Sequence, residues 1–179
     1  MKTSKIIILV LILIASVAGL TYAYYSWTGR TFIKGISECM EVNYVKGRDI
    51  TSNSLKIVDN PQEGITTTLK VSLNNNCTIT RGNGTLYLDI DTTTSSALLS
   101  SNALKYQVVV GNTVANTGVL TSSGKNTICS NIEVTDVETP IIVVLWVDGN
   151  VLNSSNTASV LSSTFSGKIT MRLENSSQG

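Results

Sequence analysis

The feature that most constrains this chain is a strict alternation of apolar and polar side chains over short segments. In Gly84–Asp91, the side chains of Leu86, Leu88 and Ile90 point to one face of an extended strand, and polar side chains point to the other. This period of two is typical of a half-buried β-strand, whereas an amphipathic helix repeats its apolar residues every three or four positions. The chain is therefore expected to build sheets with one dry face and one wet face.

Other segments have the same spacing or are rich in β-branched residues, and turn-forming residues separate them. The predicted strands are Ile36–Val45, Thr67–Leu73, Gly84–Asp91, Tyr106–Val110, Gly118–Thr121, Thr127–Val134, Ile141–Asp148 and Phe165–Leu173. Turns are predicted at Gly82–Gly84, Gly111–Asn112, Ser123–Gly124 and Asp148–Asn150, whose residue types tolerate the positive φ of tight hairpins. A short helix is expected only at Ser95–Leu104.

These strands predict an all-β fold, a single antiparallel two-sheet sandwich of jelly-roll or Greek-key type, after an N-terminal hydrophobic signal or anchor helix. The continuous apolar run Ile141–Trp146 predicts a central strand that is covered on both faces. We expect an extended N-terminal segment at residues 24–35, the sandwich at 36–174 and a polar tail at 175–179. A domain of that size can bury a core of its own.

The first residues have the parts of a secretory signal peptide. Lys2 and Lys5 precede the uncharged, mainly apolar run Ile6–Leu20, and small residues allow cleavage after Ala23. The sequence therefore predicts a secreted or cell-surface protein. An uncleaved membrane anchor stays open as the alternative, because the uncharged segment continues to Tyr25 and reaches about 20 residues, the length that spans a bilayer.

Composition excludes several classes of function. The sequence contains no histidine, so it lacks Ser-His-Asp and Cys-His relays and HExxH zinc sites. Its 13 Lys and Arg residues are scattered and nearly balance 12 Asp and Glu residues, which argues against a nucleic-acid partner. We assign no catalytic, cofactor-binding or metal-binding residue, and we expect no enzyme.

Carboxylates and cysteines each leave two interpretations. Asp89 and Asp91 on one wet face, with Asp59–Asn60 and Asp136 elsewhere, could supply oxygens to Ca²⁺, but without EF-hand spacing a solvated polar surface is the simpler interpretation. We prefer a Cys39–Cys77 disulfide, which could stabilise the exported domain by roughly 4 kcal/mol. Three buried, reduced thiols are the alternative, and in either case Cys129 could pack as a small apolar residue.

Three stretches of the chain resemble the TasA/camelysin family, secreted proteins of Gram-positive bacteria that depend on a dedicated signal peptidase. They are the end of the leader, Ala18–Trp27, the strand block Val143–Gly149 and the closing segment Phe165–Met171. The resemblance implies a jelly-roll domain at the cell surface or in the biofilm matrix, where members of the family build fibres. It also implies self-association, in which an extended N-terminal segment of one subunit completes a sheet of the next.

This sequence has a candidate donor strand for such pairing directly after the cleavage position. Its assembly residues are Tyr25, Trp27, Thr31, Phe32 and Ile33, and two sets of side chains alternate along the segment. The segment could instead fold back on its own domain or form a stalk. Two other functions stay open: a membrane-tethered extracellular binding module, and a metallopeptidase of the camelysin type, which the absence of histidine disfavours.

Overall fold

The alternating segments form strands that assemble into two sheets. Within residues 39–51, 55–76 and 79–178, the part of the chain that this computed structural model describes, there are ten β-strands and two short α-helices. The strands are β1 (Met40–Lys46), β2 (Asp49–Thr51), β3 (Ile57–Val58), β4 (Ile65–Leu73), β5 (Ile79–Ile90), β6 (Leu104–Val110), β7 (Thr113–Val119), β8 (Gly124–Val134), β9 (Thr139–Asp148) and β10 (Ser166–Gln178). The helices are α1 (Ser96–Ser100) and α2 (Thr157–Leu161).

The two sheets differ in size. The larger sheet has the strand order β1-β4-β9-β6-β7, with β3 beside one end of β9, and the smaller sheet has the order β2-β10-β5-β8. The described pairings are antiparallel except for the short β3–β9 pair. The prediction of a mainly β chain with two antiparallel sheets is therefore confirmed, and β9, which contains the run Ile141–Trp146, lies centrally between β4 and β6.

One hydrophobic core collects the inward side chains of both sheets. Along the Thr67–Leu73 part of β4 and the Leu86–Ile90 part of β5 every second side chain is buried, as the period of two predicts. The larger sheet contributes Leu69, Val71 and Leu145 to this core, and the smaller sheet contributes Leu86, Leu88 and Ile169. Each sheet buries its apolar face by packing against the apolar face of the other sheet.

The chain passes from the larger sheet to the smaller one just after β1. Gly47 has a φ of +68°, a left-handed conformation that glycine adopts without steric cost. Its carbonyl oxygen accepts a hydrogen bond of 2.5 Å from the Oγ1 of Thr67, a side chain that is fully buried. This contact holds the reversal against β4 and directs the following residues, Arg48 and β2, to the edge of the smaller sheet.

The predicted turn at Gly82–Gly84 is wrong, because these residues lie inside β5. They pair with β8 on one side and with β10 on the other. An added Cβ at Gly84 would lie 2.2 Å from the Cε of Met171, so this glycine makes room for a core side chain of the neighbouring strand. The sequence analysis interpreted Gly84 as a turn residue, whereas close packing against the neighbouring strand requires this glycine.

Several boundaries also differ from the sequence prediction. β7 occupies Thr113–Val119 and not Gly118–Thr121. α1 ends at Ser100 and not at Leu104, and Asn102, with a φ of 58°, lies between this helix and β6. β10 continues to Gln178, so it includes residues for which we predicted a polar tail. β2, β3 and α2 were not predicted, because segments so short have too little periodicity to be recognised.

Candidate functional site

The predicted donor strand, with Tyr25, Trp27, Thr31, Phe32 and Ile33, lies outside the described residues, as does the cleavage position after Ala23. Within the described part of the chain, no helix has the length and hydropathy to traverse a bilayer. The described residues do include the edges of both sheets. An added strand has to hydrogen-bond to such an edge, so the edges are the candidate site.

The sheets have two places where an edge of one comes close to an edge of the other. We call β1, β2 and the Ser166–Leu173 part of β10 the β1–β10 edge, since Tyr44 of β1 bonds to Ile169 of β10. We call β7 and β8 the β7–β8 edge, since Asn116 of β7 bonds to Ile128 of β8. At the two edges, different residues form the hydrogen bonds to backbone N–H and C=O groups that face away from the neighbouring strand.

At the β1–β10 edge, the outermost strand is much shorter than the strand it covers. β2 has 3 residues and β10 has 13, and β2 pairs only with Ser166, Gly167 and Lys168. Beyond this pairing, the backbone N–H of Ile169 donates to the carbonyl oxygen of Arg48 at 3.0 Å, and the Ile169 carbonyl accepts from the Tyr44 hydroxyl at 3.0 Å.

The next residues of β10 present backbone groups to the same side. In an antiparallel sheet the N–H and C=O of one residue point to one neighbour, and those of the following residue point to the other. Since both backbone groups of Ile169 face the β2 side, those of Met171 and Leu173 face it too. Among the described residues, no strand pairs with β10 along this stretch. Met171 and Leu173 are buried as whole residues, at 1% and 3% exposure, so this stretch is unpaired and not solvent-exposed, and an added strand has to displace the groups that cover it.

Arg48 lies beside this unpaired stretch. Its guanidinium carbon is 5.3 Å from the centroid of the Tyr44 ring, a cation–π distance. Its Nε is buried and has no hydrogen-bond partner among the described residues. Leaving a buried charged donor unsatisfied is costly, so this atom is suited to a backbone carbonyl that is brought to the edge.

At the β7–β8 edge, a single side-chain amide joins the two strands. The Nδ2 of Asn116 donates to the Ile128 carbonyl oxygen at 2.7 Å and to the Tyr106 hydroxyl oxygen at 3.2 Å. Its Oδ1 accepts from the backbone N–H of Thr117 at 2.9 Å. The amide therefore occupies one backbone group of each strand.

The cysteines are placed as follows. Cys39, directly before β1, is disulfide-bonded. Cys77 lies outside the described residues, so the Cys39–Cys77 bridge stays a prediction. Cys129 on β8 is a free, buried thiol, and burial raises its pKa, which keeps it protonated and poorly reactive near neutral pH.

The candidate calcium carboxylates do not form a cluster. Asp89 stands in register with Lys168 on one side and Lys125 on the other, so cationic side chains already flank it. Asp91 accepts from the backbone N–H of Thr93 at 2.8 Å, and this hydrogen bond lowers the pKa of the carboxyl group. In the described ranges, no group of three or more acidic or cysteine side chains could hold a metal ion.

A small apolar cleft lies between the helices and β3. It has a volume of about 300 Å³, and its lining residues are Leu55, Ile57, Leu98, Val147, Val160, Leu161 and Ser163. Leu161 is 66% exposed and Ile57 is 40% exposed. Sequence reasoning missed this cleft because α2 and β3 were not predicted.

Comparison with known proteins does not show a family. No family model matches the sequence, and no curated protein matches it. A family two carbohydrate esterase from Cellvibrio japonicus is a structural match with 7% identity and a TM-score of 0.31, over 76% of this chain and 34% of that one. This chain thus spans about a third of the length of the esterase, and the likeness is too weak to indicate a shared fold or activity.

Tyr44 provides a test of the β1–β10 edge that needs no assembly. Burial raises the pKa of Tyr44 above its ordinary value in the folded chain, so the unfolded chain loses this proton first as pH rises. We expect Tyr44→Phe to cost about 1 kcal/mol at pH 7 through the lost bond to Ile169. The decline of stability above about pH 10 should also become shallower. Urea unfolding at a series of pH values measures both, and an unchanged alkaline slope would contradict the role of Tyr44.

Thiol counting tests the cysteine assignment. In denaturant without reductant, we expect the chain to react at one thiol, that of Cys129, and at three after reduction. Cys129→Ala serves as the control and should leave no reactive thiol before reduction. Three reactive thiols in the unreduced wild-type chain would exclude the bridge.

Proposed function

We propose that this chain is a secreted structural subunit of the cell surface or biofilm matrix that assembles into fibres by β-strand addition. The unpaired stretch of β10 carries the proposal, because among the described residues no strand pairs with β10 beyond the three residues that the short outer strand β2 covers. The segment at residues 24–35 of a second copy would pair with β10 beyond the point where the β2 pairing ends. The role is structural and not enzymatic, which the lack of histidine in the sequence supports.

The strand order supports a jelly-roll sandwich as the scaffold. From β4 onward the chain alternates between the sheets, with β4, β6, β7 and β9 in the larger one and β5, β8 and β10 in the smaller one. Together with β2, these strands give two sets of four in the arrangement of paired Greek keys. β1 is then an additional strand at the border of the larger sheet, and β2 is the border strand that leaves β10 partly unpaired.

The energetics favour an extended, amphipathic occupant. Backbone hydrogen bonds to Met171 and Leu173 would contribute about 1 kcal/mol each. Side chains on the inward face of the added strand would continue the core beside Met171 and Leu173, and burying an aromatic or aliphatic side chain contributes about 1.5–3 kcal/mol. Tyr25, Trp27 and Ile33 share one face of the donor segment, and this face suits the core.

The donor face provides the first test. In the chain that begins at Tyr24, Trp27→Asp would place a charge on the inward face of the added strand, so we expect monomers in sedimentation velocity and no fibres by electron microscopy. Ser26→Asp is the matched control, since it adds the same charge to the neighbouring position on the opposite face, and it should still assemble. Fibres of unchanged length from Trp27→Asp would refute strand donation by this segment.

Arg48 provides a test on the acceptor side. Arg48→Lys keeps the positive charge but removes the buried Nε donor, so we expect the critical concentration for assembly to rise about tenfold, which corresponds to one charge-assisted hydrogen bond. Lys46→Ala, a change at an exposed residue of β1, is the control and should leave the critical concentration unchanged. Equal values for wild type and Arg48→Lys would remove Arg48 from the acceptor site.

A membrane-tethered binding module is the second candidate. The observation that favours it is the apolar cleft between α1, α2 and β3, whose volume of about 300 Å³ is at the lower limit for a small ligand. Leu161→Asp would then abolish ligand binding and leave assembly intact. Loss of assembly with Trp27→Asp but not with Leu161→Asp would favour the structural subunit.

A further inference from the structure

We propose that Asn116 keeps the β7–β8 edge closed to strand addition and so restricts the attachment of a second copy to the β1–β10 edge. The hydrogen bonds of Asn116 are the evidence that this edge is closed. The restriction to one edge rests on the proposed function.

β7 has a bulge at Ala115 but lacks the other usual protections of an edge strand, charged side chains and proline. Natural edge strands are commonly guarded by charged side chains, proline or bulges. No charged residue lies between Lys105 and Lys125, and β7 itself has no proline. Nearly all of β7 is exposed, including Val114 at 53% and Val119 at 44%. An uncharged strand of this kind could pair with a second copy of itself without like-charge repulsion.

The amide of Asn116, next to this bulge, adds a second protection. Thr117 directs its N–H away from β6, and this donor is taken by the Asn116 Oδ1. On β8, the Ile128 carbonyl oxygen is taken by the Asn116 Nδ2. A strand that approached either edge would need these groups for its own ladder, so it would first have to break the amide bridge.

Tyr106 and Gly118 hold this amide in place. Tyr106 on β6 is a buried side chain that stands opposite Gly118 on β7, and its hydroxyl oxygen accepts from the Asn116 Nδ2. An added Cβ at Gly118 would lie 2.7 Å from the Tyr106 ring, so only glycine lets the ring lie flat against β7. Sequence reasoning placed Gly118 at the start of a strand and did not single out Asn116.

β8 itself is a poor template along this edge. Its register against β5 shifts on both sides of Leu86, and Asn131 has a φ of 58°. Such irregularities bend a strand and interrupt its ladder. The β1–β10 edge differs, because the β10–β5 register is regular from Gly167 to Leu173.

Replacing Asn116 tests the proposal in the chain that begins at Tyr24 and carries Trp27→Asp. Asn116→Ala removes the amide bridge and adds no charge to the edge, so we expect the self-association measured by sedimentation velocity to be at least about tenfold tighter. Asn116→Lys also removes the amide bridge but puts a charge on the edge, so it should stay monomeric. Thr117→Ala keeps the backbone N–H and the amide, and it is the matched control, expected to behave like its parent.

Hydrogen exchange separates the possible outcomes. In Asn116→Ala and Asn116→Lys the Thr117 amide should exchange about tenfold faster than in the parent, whether or not fibres form. Equal association of the Ala and Lys variants would indicate general destabilisation and overturn the proposal. Unchanged Thr117 exchange would overturn it as well. If Trp27→Asp fails to block fibres, donation by residues 24–35 is wrong, and Thr117 exchange still decides the role of Asn116.

Discussion

Backbone groups at the border of a sheet need hydrogen-bond partners, and this requirement organises the rest of the structure. Two open sheets share one core, so their borders meet on two sides of it. On one side the amide of Asn116 bonds to a group of each strand. On the other side Arg48 and Tyr44 satisfy Ile169, and the described pairing ends there. In the proposed assembly, this difference directs an added strand to the second border.

The position of Arg48 follows from local chemistry a few residues away. Gly47 reverses the chain in a left-handed conformation, and buried Thr67 binds its carbonyl oxygen. The reversal moves the chain from the larger sheet to the smaller one, where β2 pairs for three residues. A longer β2 would cover β10 and leave no acceptor stretch. A short outer strand is therefore a functional feature in the proposed assembly, although in isolation it resembles a marginal strand.

The sequence predicted the longer strands because burial on one face imposes a period of two. Leu86, Leu88 and Ile90 show this on β5, and Leu69, Val71 and Leu73 show it on β4. The same reasoning failed where packing against a residue of another strand determines the residue type. Gly84 accommodates Met171, and Gly118 accommodates Tyr106, yet both were assigned to turns or strand ends from local pattern alone. The sequence did not identify Asn116 as important, since an asparagine in a polar strand follows no distinctive pattern. Its hydrogen bond to the Ile128 carbonyl oxygen is visible only in the structure.

By itself, then, the amino-acid sequence determined the all-β character, the central strand at Ile141–Trp146, the absence of histidine chemistry and the alternation of the segment at residues 24–35. Local patterning decides these properties, because each depends on residues that are near neighbours in the chain. The tertiary structure alone decided which side chains hydrogen-bond to the backbone at each border. Arg48 meets β10, and Asn116 meets β8, through contacts between separate strands, and such contacts have no period in the sequence.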